Sequence, residues 1–74
     1  MPESCSEIID RLIERRQLLN LTQKQLADAA GLAQSGVARL ESKKTVPQLD
    51  TLMKIAIALG CDLQLVPTNE SRVL

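Results

Sequence analysis

The chain has 74 residues, with nine Lys and Arg against nine Asp and Glu, two Cys, no His and no aromatic residue. A chain this short makes one small domain that buries only about 60% of its unfolded surface. A core without Phe, Tyr or Trp also has less apolar area per residue to bury, so stability is expected to be modest or shared with a partner. The composition excludes catalysis. With no His, no paired carboxylates in a pocket-forming context and no glycine-rich phosphate loop, there is nothing to arrange as acid, base or nucleophile, and neither a catalytic residue nor a cofactor is expected. Cys5 and Cys61 are far apart in sequence and lack ligand spacing, so no metal site is expected either. Without a signal peptide or a membrane-length apolar run, the chain reads as cytoplasmic, with free thiols and no membrane association.

The zero net charge hides a division along the chain. Residues 11–54 carry eight cations (Arg11, Arg15, Arg16, Lys24, Arg39, Lys43, Lys44 and Lys54) against four carboxylates (Glu14, Asp28, Glu41 and Asp50), while both ends are acidic. Positive charge is thus concentrated where phosphate contacts would need it. Few counterions would be released per monomer, so sequence-independent DNA affinity should be weak.

The first helix is expected to open at Ser4 or Ser6 and to end near Leu19 or Asn20. Ser4 and Glu7 have capping-box spacing, and Ile8, Ile9, Leu12, Ile13 and Leu19 form an apolar stripe. Arg15 and Arg16 close the helix, where its dipole favours cations. The next stretch, Leu21 to Leu40, reads as two short helices joined at a turn. Thr22 and Gln25 form a second capping box, and Gly31 can take the left-handed conformation that redirects the chain. Leu21, Leu26, Ala27, Ala30, Leu32, Val37 and Leu40 fall at helical offsets that let the two inner faces pack together.

These residues resemble the Cro and lambda-repressor-like (XRE) helix-turn-helix family. The likeness rests on Leu21-Thr22-Gln23, Leu26-Ala27, Gly31-Leu32, Gln34-Ser35, Val37, Arg39-Leu40-Glu41, Pro47, and Leu49 through Gly60. It implies an all-α, lambda-repressor-like bundle of four helices containing a helix-turn-helix, within a DNA-binding domain spanning 1–60. The resemblance also implies an ion pair between Arg16 and Glu41 that ties the first helix to the third. One departure concerns the turn after the third helix. Members usually carry a Gly two residues after the Glu that stands here as Glu41, and this chain has Lys43, which implies either a differently bent turn or a strained backbone there.

Within this motif the third helix, about Gln34 to Ser42, is the expected reading element. Gln34, Ser35, Ala38 and Arg39 share its outer face with Ser42. Gln is suited to an adenine edge, Arg to guanine and the Ala methyl to thymine. Gly36 is costly in a helix, and either permits close approach to a phosphate or is simply tolerated. Expected phosphate contacts are Thr22, Gln23 and Lys24 at the start of the second helix, and Ser42, Lys43, Lys44 and Thr45 after the third.

Pro47 and Gln48 lead into a fourth helix, roughly Leu49 to Leu59, stopped by Gly60. Leu49, Leu52, Ile55, Ala56 and Leu59 are its expected core stripe. Met53, Ile57 and Ala58 are apolar as well, more than a four-helix domain covers. The alternating run from Asp62 to Pro67 reads as a short strand with no sheet of its own. Two copies pairing these strands over Met53, Ile57, Leu63 and Leu65 would cover both, as HipB-type antitoxins of the resembled family do, which makes 61–67 a dimerisation strand and 68–74 a polar tail. A homodimer with one reading helix per subunit suits a repressor on a palindromic operator in double-stranded DNA. The alternative is an antitoxin that also binds and neutralises a toxin protein.

Overall fold

The protein, described here over residues 3–67 of a computed structural model, builds four helices in succession: α1 (Glu3–Leu18), α2 (Gln23–Ala30), α3 (Gln34–Glu41) and α4 (Leu49–Ala58). α1 already runs at Glu3, so Ser4 lies inside the helix and the expected Ser4 cap is absent; the acidic Glu3 occupies the first turn instead, where the dipole favours it. α1 ends through Asn20, whose φ of 58° is a left-handed conformation that Asn tolerates better than most residues. α2 opens with the full reciprocal cap. Thr22 Oγ1 accepts from the Gln25 amide at 3.0 Å, and Gln25 Oε1 accepts from the Thr22 amide at 2.9 Å. Gly31, at φ 70°, closes α2 in the left-handed region, and the three-residue turn Gly31-Leu32-Ala33 leads directly into α3.

The core gathers one face from each helix. Ile9 and Leu12 of α1, Leu26 and Ala27 of α2, Val37 and Leu40 of α3, and Ile55, Ala56 and Leu59 from α4 and its end are all buried. Ile13, Leu21, Ala30, Leu32, Leu52, Ala58, Cys61 and Leu63 pack around them. α2 lies against both α3 and α4, so the helix-turn-helix is seated on the last helix while α1 braces α3.

Several sequence expectations are corrected at the rim. Leu49 is 72% exposed, because it is the first residue of α4 and projects beyond the packed face. Ile8 and Leu19 are also exposed, leaving Ile9 and Leu12 as the buried part of the α1 stripe. No strand occurs among the described residues: a strand needs a neighbour to complete its hydrogen-bonded ladder, and segment 61–67 has none among them. Its alternation is broken too. Leu63 turns to its own core, whereas Leu65 and Val66 stand in solvent. The polar tail expected over 68–74 lies outside the described residues.

Candidate nucleic-acid interface

α3 is a weak helix by its own chemistry. It spans only eight residues, contains Gly36, and starts from Ala33 with no side-chain cap. An isolated helix of that length is unstable in water, so tertiary anchors must hold it. Val37 and Leu40 supply the apolar anchors, fully buried on its inner face. Glu41 supplies the polar one. Its carboxylate accepts from Arg16 Nε at 2.7 Å and Arg16 Nη2 at 3.0 Å, a two-pronged pairing with both side chains largely buried. Gln23 Nε2 adds a third donor at 3.1 Å, and Arg16 Nη1 donates to the Leu21 carbonyl at 2.7 Å. A carboxylate at a helix C-terminus is otherwise disfavoured by the dipole, so this network fixes the end of α3 against α1 and the start of α2.

The opposite face of α3 carries the expected base readers. Gln34, Ser35 and Arg39 are exposed and Ala38 is half-buried beside them. Among the described residues the side chains of Gln34, Ser35 and Arg39 make no hydrogen bond or ion pair. Arg39 also lines an open cleft of about 500 Å³ with Gly36, Thr45, Val46, Gln48 and Thr51, which brings α3, the following loop and the start of α4 to one concavity. A Cβ at Gly36 would meet nothing within 4 Å, so no contact inside the chain requires glycine there.

The expected phosphate contacts divide by what else they hold. Lys44 and Thr45 are exposed on the loop. Thr22 is occupied as the α2 cap and Gln23 faces Glu41, so these two present chiefly the backbone of the α2 start. Lys24 lies 3.6 Å from Asp28 in an exposed i,i+4 pair worth only about 0.3–0.5 kcal/mol. The Ser42 hydroxyl donates back to the Arg39 carbonyl at 2.6 Å. Lys43 adopts φ 60°, the strained alternative raised by its replacement of a glycine; such a backbone costs about 1–2 kcal/mol in a non-glycine residue. Its Nζ lies 2.7 Å from Asp10 Oδ1 on α1.

Two links had no signal in the sequence. Arg15 Nε donates to the Leu59 carbonyl at 3.0 Å, so a cation read as closing its own helix instead caps the end of α4. The Asp10–Lys43 pair joins residues 33 apart. The Lys24–Asp28 pair, by contrast, had a legible signal in its four-residue spacing.

An all-α bundle with a short, anchored helix whose polar outer face is unpaired is the architecture of a helix-turn-helix DNA-binding protein. A helix-turn-helix family model matches residues 12–66, and the chain belongs to that family, in its XRE/Cro-type branch. It is 45% identical over 60 residues to an uncharacterized HTH-type transcriptional regulator of Haemophilus influenzae, covering 81% of this chain and 61% of the relative. It is 38% identical over 53 residues to the cryptic phage CTXphi transcriptional repressor RstR of Vibrio cholerae, covering 72% of this chain and 47% of that protein. The chain thus spans between about half and three fifths of the curated relatives it matches. Among solved structures, a toxin-antitoxin module from Streptococcus pneumoniae superposes with a TM-score of 0.74 at 40% identity, covering 88% of this chain and 71% of that one. The chain is therefore a DNA-binding helix-turn-helix domain of the XRE/Cro type. No helix among the described residues is long and apolar enough to cross a membrane.

Proposed function

We propose that this protein is the DNA-binding antitoxin of a toxin-antitoxin pair, acting as a homodimer that reads a palindromic operator through α3 and represses its own transcription unit. The observation that carries the DNA-reading part is the outer face of α3, where Gln34, Ser35 and Arg39 are exposed and have no partner among the described residues. In a major groove Arg39 would take a guanine edge, Gln34 an adenine edge and Ala38 a thymine methyl, with Ser35 beside them. Thr22, Gln23, Lys24, Ser42, Lys43, Lys44 and Thr45 would hold the flanking phosphates, several of them through backbone amides.

Two apolar surfaces support protein partners. Ile57 and Leu65 are exposed and Met53 is half-buried, and with the outer part of Leu63 they form the proposed contact with a second copy. A two-fold axis there would set two α3 helices on half-sites about 34 Å apart. Ile8, Val46 and Leu49 make the second surface, around a cleft of about 120 Å³ shared with Cys5, Pro47 and Leu52, and this is the face assigned to a toxin. The likeness to the pneumococcal toxin-antitoxin module favours this reading. A stand-alone repressor, favoured by the likeness to the phage repressor, is the second reading.

Co-expression with the product of the adjacent reading frame separates the two. The antitoxin reading expects that product to arrest growth alone, to be harmless with this protein, and to co-purify with it. A harmless neighbour that forms no complex, with operator repression intact, would leave the stand-alone repressor.

A further inference from the structure

Of the cations in residues 11–54, Arg15, Arg16, Lys24 and Lys43 have partners within the chain, whereas Arg11, Arg39, Lys44 and Lys54 have none among the described residues. The engaged ones are not equivalent. Arg16 is largely buried and donates through two of its nitrogens to the Glu41 carboxylate, and Arg15 caps a carbonyl, so both are structural. Lys24 sits in a loose pair on its own helix. Lys43 differs because it belongs to the loop that leaves the reading helix, yet its ammonium reaches across to α1 and makes a short 2.7 Å contact with Asp10. Both side chains remain open to solvent, at 36% and 51% exposure, so another anion can compete with Asp10 for the ammonium. A left-handed backbone at Lys43 places the residue for this contact, and neighbouring Lys44 stays free.

We propose that Asp10 limits sequence-independent DNA binding by withholding Lys43 from phosphates. The inference rests on the reading that this face meets DNA, and it adds a carboxylate that acts against binding. In a loose encounter with random duplex, Lys43 remains with Asp10 and releases no counterion, whereas in the operator complex a fixed phosphate displaces Asp10; on random duplex the protein therefore carries one effective phosphate contact fewer than its sequence counts. Removing the Asp10 charge frees that contact. Each phosphate contact adds about 0.9 to the slope of log affinity against log salt, so the freed lysine should be visible in that slope.

The experiment measures binding to a scrambled duplex across a salt series from about 50 to 200 mM, for wild type, Asp10→Asn, Lys43→Gln and the double variant, each checked for helix content. Expected is an Asp10→Asn protein that binds roughly three- to tenfold tighter at the low-salt end, with a salt slope steeper by about 0.9. In the Lys43→Gln background the same substitution should change neither affinity nor slope. An equal gain in both backgrounds would overturn the proposal, since Asp10 would then act only as a long-range negative charge, and so would no gain in either. Loss of preference for the protein's own upstream DNA would count against operator reading without touching the scrambled-duplex result. Failure of every variant to bind duplex at low salt would remove both.

Discussion

Glu41→Ala should lower the stability of the free protein by about 2–4 kcal/mol, most of it from leaving the Arg16 guanidinium largely buried without its carboxylate. In a domain of this size each kcal/mol corresponds to roughly 4–8 °C in Tm, so the melting temperature should fall by about 8–30 °C. The loss would be felt first in α3, because Glu41 is the polar anchor of a helix too short to stand alone. Pairing Glu41→Leu with Arg16→Met should recover much of the stability, as apolar replacements of buried ion pairs often do. Thermal unfolding of the single and double variants checks this. A Glu41→Ala protein that melts within a degree or two of wild type would mean that Val37 and Leu40 hold α3 unaided.

Ile57→Glu should abolish the proposed dimer while leaving the fold intact, since Ile57 is 67% exposed and supports no core contact. Sedimentation should then show a monomer. Operator affinity should fall by roughly 10²–10⁴, because two linked reading helices gain their second contact at high effective concentration. Binding to a single half-site should change little. An Ile57→Glu protein that stays dimeric would move the contact elsewhere, and the cleft edged by Ile8, Val46 and Leu49 would be the next surface to test.

What could be read from the chain beforehand follows the range of each interaction. The Thr22–Gln25 cap, the Gly31 turn and the buried faces of α2 and α3 depend on residues three or four apart, and spacing reveals those directly. The Arg16–Glu41 pairing spans 25 residues and was accessible only through the family resemblance. Arg15 on Leu59 and Lys43 on Asp10 lie 44 and 33 residues apart, and nothing local marks them. Apolar patterning failed in a different way. It placed Leu49 in the core stripe of the last helix and left Ile57 and Leu65 to be covered by a second copy, but periodicity does not say what supplies the cover, and among the described residues all three stay exposed. Alternation from Asp62 to Pro67 likewise described a strand in want of a ladder, and the described residues of one copy offer none. The polar outer face of α3 was legible because its direction is fixed by Val37 and Leu40 pointing inward.

The central claim is that α3 reads DNA sequence, and the most direct test is affinity for the DNA upstream of the protein's own gene against a scrambled duplex of equal length at physiological salt, with Arg39→Ala and Gln34→Ala alongside. A strong preference for one palindrome in the upstream DNA is expected. Each substitution removes one paired base contact from each half-site, about 1–3 kcal/mol apiece, so it should weaken the dimer's site by roughly 30-fold to 10⁴-fold and leave scrambled binding much less affected. Equal affinity for both duplexes, unchanged by either substitution, would contradict it.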